Sequence, residues 1–165
     1  MEFLPLEPGR LGAEQQLPDL ESTRAAGRQL AASLVGGELI LLEGPLGAGK
    51  TSFAQGLASG LGVAGAVTSP TFALCNRLMG RLELHHYDLY RLESLERLVR
   101  IGFEESLECD AVVLVEWPAL MLPLLRGECL VVRLEHAGEE RSLRWGRLEA
   151  DACAALELRA PGECD

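Results

Sequence analysis

The chain has 165 residues and a mass of 17.8 kDa, which is room for about one domain of ordinary size. Hydrophobic residues at 48% against charged residues at 24% form a globular balance that excludes disordered, collagen-like and coiled-coil chains. A net charge of −10 argues against a non-specific hold on phosphate backbones. No apolar run approaches the ~20 residues of a membrane helix, and Met1 to Pro5 lacks a basic signal-peptide region, so a soluble cytoplasmic protein without membrane contact is expected.

Taken in chain order, residues 1–14 hold Pro5, Pro8, Gly9 and Gly12 without periodicity and are expected to be loose, as is the polar stretch 159–165. No linker or repeat divides the remainder, so 1–165 is treated as a single domain. Pro18-Asp19 offers a helix start, Ala26, Leu30, Ala31 and Leu34 one apolar face, and Gly36-Gly37 a stop. Glu38 to Glu43 is a short apolar run of the kind buried on both faces of a sheet, and it leads directly into a glycine-rich turn. From Lys50, the residues Phe53, Leu57 and Leu61 recur at helical spacing until Gly62.

Thr71 to Leu78 and Arg81 to Asp88 read as strands joined in a hairpin around Met79-Gly80, and helical spacing returns near Leu92, Leu95 and Leu98. Ala111 to Glu116 is the strongest buried strand and is expected to be central and parallel. Leu130 to Leu134 and Ser142 to Leu148 flank His136-Ala137-Gly138 and are expected to close the sheet as an antiparallel pair. The predicted fold is α/β, a mixed, mostly parallel sheet flanked by helices.

Gly44-Pro45-Leu46-Gly47-Ala48-Gly49-Lys50-Thr51 fits G-x-x-x-x-G-K-[ST], the phosphate-binding P-loop, in its required place between a buried strand and a helix. The backbone N–H groups of this loop and of the helix start, Ser52 included, point at phosphates; Lys50 reaches the β- and γ-phosphates, and the Thr51 hydroxyl can ligate Mg²⁺. ATP or GTP is the expected ligand. Lys50 is the only lysine beside fourteen arginines, consistent with a compact ammonium being required in a tight phosphate cradle. A dinucleotide-binding G-x-G-x-x-G is not completed, because Ser52 stands where its third glycine belongs.

Glu116 ends the best strand, where nucleotide hydrolases place the acid that holds Mg²⁺, although an acid ahead of Pro118 also suits a helix N-terminus. Asp88 ends the neighbouring run and is the second acid able to face a γ-phosphate, either polarising a water or ligating metal, or else a turn or cap residue; the attacking water is positioned by Asp88 or by Glu116. Ser69-Pro70-Thr71-Phe72 has the layout of a switch segment that senses the γ-phosphate and also that of a plain proline turn. The adjacent His85 and His86 alternate across a strand and make a poor zinc pair. Five cysteines with no C-x-x-C spacing suggest reduced thiols.

In order and spacing, Gly44 to Thr51, Ser69 to Leu74, His86 to Leu92, Ile101 to Glu105 and Val115 to Pro118 resemble the motifs of the bacterial tRNA threonylcarbamoyladenosine biosynthesis ATPases, the TsaE (YjeE/YdiB) family. The resemblance implies a single P-loop domain in which Lys50 and Thr51 bind phosphate and Mg²⁺, Glu116 is the second metal ligand, Asp88 is needed for turnover and Thr71 belongs to the switch region. It implies an ATPase, weak alone, that resets the TsaB–TsaD complex, with tRNA contacted only through that complex. Two departures stand out: Pro45 replaces the family's usual Asp, and the basic residue after the late glycine is best matched by Arg141. Adenine contacts are expected around Asp19 to Ser22 and at Arg141. The rival functions are a P-loop small-molecule kinase, with Leu92 to Arg100 as its lid, and a nucleotide-sensing adaptor without turnover.

Overall fold

The computed structural model describes residues 11–156 together with 158, 160 and 161. Strands β1 (Gln15–Leu17), β2 (Leu39–Glu43), β3 (Cys75–Leu78), β4 (Leu84–Asp88), β5 (Val112–Glu116), β6 (Glu128–Ala137) and β7 (Glu140–Glu149) form one sheet in the order β1-β7-β6-β2-β5-β4-β3. The middle is parallel, with β2 between β5 and β6 and with β4 beside β5. The edges are antiparallel: β3 on β4, β7 on β6, and β1 on β7. This is the expected mixed α/β architecture, with the Ala111 to Glu116 run central and parallel.

Strands β2, β4 and β5 are buried at every residue because both faces of the sheet are covered. On one face, helices α1 (Leu20–Ser33) and α2 (Lys50–Gly60) pack Ala26, Leu30, Phe53 and Leu57 against Ile40, Leu42, Val112 and Leu114. On the other, α3 (Leu95–Arg100), α4 (Phe103–Glu108), a 3₁₀ segment (Pro118–Leu124) and α5 (Ala150–Ala154) supply Leu98, Phe103, Met121 and Cys153 against Leu41, Val113, Val115 and Tyr87. Helix α1 starts where Asp19 accepts the Ser22 N–H at 2.7 Å, as an N-cap should. It crosses α2 so closely that a Cβ on Gly56 would lie 2.0 Å from the Arg24 carbonyl oxygen.

The structure departs from sequence expectation in four places, the first being that the run from Arg81 becomes strand only at Leu84, while Arg81 donates its N–H to Leu61 O at 2.7 Å. Thr71 to Leu74 is a turn and not strand, closed by a Leu74 N–H to Pro70 O bond of 2.7 Å with Leu74 at φ 65°; only Cys75–Leu78 pairs with β4. Leu92 lies in a turn, its N–H bonded to Leu89 O, and the helix waits for the Ser94 cap. The expected loose ends fall for 1–10, 159 and 162–165 outside the described residues, but Gly12 donates its N–H to Trp145 O at 2.8 Å and Glu14 pairs with Arg144 at 3.8 Å. Among the described residues no helix is long and apolar enough to cross a membrane.

Candidate functional site

Parallel strands of one sheet end at one edge, and crevices outside their carboxyl ends are where open α/β sheets bind ligands. Here β2 delivers the Gly44–Thr51 loop to that edge, and the register pairs Asp88 at the end of β4 with Glu116 at the end of β5. Between the loop and the two acids lies a cleft of about 460 Å³.

The loop depends on two backbone requirements. Gly44 sits at φ 151° with its Cβ position 2.2 Å from Leu134 O, and Gly49 caps α2 at φ 101°, a left-handed conformation that a side chain would strain. Lys50 opens α2 and folds back over the loop: its ammonium donates to Gly44 O at 2.5 Å and Pro45 O at 2.8 Å and lies 4.0 Å from the centroid of the Trp117 ring. His136, from the β6 end, donates through Nε2 to Leu46 O at 3.1 Å and braces the loop from outside. Glu43, 2% exposed at the last residue before the loop, is paired with Arg133 at 2.5 Å, which keeps its charge compensated in the sheet.

The acids differ in their surroundings. Asp88 Oδ2 accepts the Ser69 hydroxyl at 2.7 Å and the Thr71 hydroxyl at 2.9 Å, while Oδ1 accepts the Tyr90 N–H at 3.0 Å. That carboxylate therefore pins the Ser69-Pro70-Thr71 turn to the end of β4. Glu116 accepts from His86 Nε2 at 2.8 Å on Oε1 and lines the cleft. Trp117, next in the chain, holds an unusual left-handed conformation for a bulky residue, φ 56°, and its ring packs on Tyr90 at 5.0 Å.

Of the residues singled out by sequence, Leu46, Gly47, Gly49, Lys50, Thr51, Ser52, Thr71, Asp88, Glu116 and Arg141 all line the cleft. Gly44 and Ala48 do not: Gly44 turns its carbonyl to Lys50, and Ala48 is wholly buried in the core beneath the loop. Leu20, Ser69, Tyr90, Arg91 and Trp117 line it as well. Of the Asp19 to Ser22 stretch, Leu20 lines the cleft, while Asp19 is occupied in capping α1. Tyr90, Arg91 and Trp117 lie inside the recognised motifs, but residue type alone gave them no role. His85 and His86 point to opposite faces, the first to Ser106 and Glu83, the second to Glu116.

The donor set suits a phosphorylated ligand with a hard cation. Thr51, Asp88 and Glu116 offer oxygen only, the ligand type that magnesium prefers, with α2 starting beneath the loop. Beside the Gly49 end of the loop, Arg141 lines the cleft with its Nε buried and without a hydrogen-bond partner among the described residues, a donor left available to a ligand.

The model of the family described as "Threonylcarbamoyl adenosine biosynthesis protein TsaE" matches residues 17–143. Proteins named tRNA threonylcarbamoyladenosine biosynthesis protein TsaE are similar to the chain. The one from Mycobacterium tuberculosis is 37% identical over 150 residues, covering 82% of this chain and 89% of its own, and that from Bacillus subtilis is 39% identical over 121 residues, covering 73% and 75%. The one from Synechocystis is 54% identical over 81 residues, a match that spans 48% of this chain and 52% of that protein. The crystal structure of Bacillus subtilis YdiB superposes with a TM-score of 0.72 at 30% identity, covering 88% of this chain and 95% of that one.

Proposed function

The chain belongs to the TsaE family of threonylcarbamoyl adenosine biosynthesis proteins, and on that premise we propose that it is a cytoplasmic, magnesium-dependent ATPase serving the threonylcarbamoyladenosine modification of tRNA. Its role in that biosynthesis follows from the family. Hydrolysis of ATP and action on the TsaB–TsaD complex are the finer steps of the proposal. One observation carries them: a phosphate-binding loop and two acids from neighbouring parallel strands converge on a single cleft.

The backbone amides of Gly47 to Ser52 and the start of α2 bind the phosphate oxygens, and Lys50 moves from the Gly44 and Pro45 carbonyls onto them. Magnesium, when bound, supplies positive charge against the phosphate oxygens; the Thr51 hydroxyl and the Glu116 carboxylate would hold it. Asp88 keeps the Ser69 to Thr71 turn against the cleft and orients the attacking water. Arg141 and Leu20 receive the base end of the nucleotide. The net charge of −10 supports protein partners, with tRNA held by another subunit of the complex.

The test is phosphate release from Mg·ATP by the purified chain, alone and with TsaB and TsaD of the same source, beside Asp88→Ala. Slow release that the partners stimulate, and that Asp88→Ala loses, is the expected result. ATP binding without stimulated release would favour an adaptor, and a phosphorylated metabolite would favour a kinase.

A further inference from the structure

Two histidines stand side by side on β4, and their surroundings differ in a way that residue type does not explain. His85 has a partner on each ring nitrogen, Ser106 Oγ and Glu83 Oε1, both at 2.9 Å. His86 is 1% exposed and has one partner, Glu116 Oε1 at 2.8 Å, while its Nδ1 is buried with no hydrogen bond among the described residues. A buried polar nitrogen without a partner is destabilising, and an apolar side chain at that place in the sheet would avoid the cost. The benefit of an imidazole here is confined to Glu116.

We propose that His86 is a positioning residue for Glu116, fixing the rotation of its carboxylate so that Oε1 is committed to the sheet and Oε2 is presented to the divalent cation of a bound Mg·nucleotide. The inference rests on the assignment of Glu116 as a magnesium ligand. With a carboxylate as acceptor, Nε2 carries the ring proton and donates it. Glu116 sits at the end of a strand with three rotatable side-chain bonds, and a buried donor restricts the last of them before any cation arrives. Groups that orient a metal ligand act on metal affinity more than on the fold, and their loss weakens metal binding about 10- to 100-fold. His86 lies on the strand next to Glu116, opposite Leu114 in the register, so the bond runs diagonally to Glu116 two positions further along and joins two paired strands of the sheet.

The experiment measures binding of a non-hydrolysable ATP analogue by calorimetry in EDTA and across a Mg²⁺ titration, with thermal melting of each nucleotide-free variant. In His86→Leu, and in His86→Asn should the leucine variant not fold, the Mg²⁺ midpoint should rise by about tenfold or more while affinity in EDTA stays within about twofold. His86→Gln, whose amide N–H occupies the place of Nε2, should restore most of the Mg²⁺ response. In a Glu116→Gln background the His86 substitutions should shift the Mg²⁺ midpoint no further. Equal losses with and without Mg²⁺, or an undiminished shift in the Glu116→Gln background, would overturn the positioning role. A wild-type chain that binds the analogue equally well in EDTA and in Mg²⁺ would instead overturn the assignment of Glu116 on which the role rests.

Discussion

The Lys50 ammonium lies 4.0 Å from the centroid of the Trp117 ring while donating to the carbonyl oxygens of Gly44 and Pro45. Loop and β5 end are thereby tied through one cation, with Trp117 in its left-handed conformation at the seam. When a phosphate takes the ammonium, the cation–π contact must loosen, so nucleotide should change the fluorescence of Trp117. Trp117→Phe should abolish that change, because Trp145 packs in the core on the far part of the sheet. Lys50→Ala removes a charged hydrogen-bond donor of about 1.5 to 3 kcal/mol, which is roughly 10- to 150-fold in nucleotide affinity. Undiminished Mg·ATP affinity in Lys50→Ala would contradict the role given to the loop.

Asp88 is read most directly through what it holds. Its Oδ2 takes two hydroxyls, Ser69 and Thr71, from one turn. Asp88→Ala should release that turn, so that the backbone amides of Ser69 and of Thr71 to Leu74 exchange hydrogen faster, and should lower phosphate release by on the order of a hundredfold or more. Nucleotide affinity should change little, since the loop and Lys50 are untouched. A variant with normal turnover and a freed turn would separate the two roles and leave Asp88 a structural residue only.

The parts of this molecule that the sequence made legible are those whose physics is local. The Gly44 to Thr51 loop is consecutive in the chain, and Glu38 to Glu43 and Ala111 to Glu116 are unbroken apolar runs because both faces of their strands are covered. Strand β1 was not legible: Gln15-Gln16-Leu17 carries no apolar pattern and is strand only because β7 offers an open edge. Helix α4 is too short for periodicity to register, and the 3₁₀ segment holds Pro123 inside it. In the site, the acids were legible as strand ends, but the His86 to Glu116 bond and the double acceptance by Asp88 join residues 30, 19 and 17 positions apart. Only the strand order brings them together. Thr71 to Leu74 reads as strand by composition and turns because its hydroxyl is bound at the end of β4.

The crossing of α1 and α2 supplies a stability test away from the chemistry. A Cβ on Gly56 would stand 2.0 Å from the Arg24 carbonyl oxygen, a backbone atom that cannot rotate aside. Gly56→Ala should therefore cost about 1 to 3 kcal/mol or more despite the better helix propensity of alanine, because the two helices must separate. Ser59→Ala, on the exposed side of the same helix, should be neutral or slightly stabilising. Urea midpoints of the two variants check this directly, and an unaffected midpoint in Gly56→Ala would show that the helices can part freely.

The last prediction concerns alkali. Burial pushes the Tyr87 hydroxyl up to about 12, against the pull of its hydrogen bond to Ser106, and pushes the Cys129 and Cys153 thiols above their ordinary value of 9.0. In the unfolded chain these groups ionise at their ordinary values, so above pH 9.0 the unfolded state sheds protons that the folded state retains. The sign follows: their contribution to stability is whole below that pH and declines as pH rises through the folded values. Urea midpoints should hold steady up to about pH 9 and fall beyond it, and the paired substitution of Cys129 and Cys153 by alanine should flatten the first part of the fall while lowering the midpoint at neutral pH. Alkylation gives a second reading of the same burial. Cys109, which is exposed, should react with iodoacetamide in the folded protein, whereas Cys129 and Cys153, with their sulfurs 2.8 Å apart in the core, should react only on unfolding. Rapid labelling of Cys153 in the folded protein would mean that α5 opens readily from β6, and the alkaline fall should then be shallower than burial alone predicts.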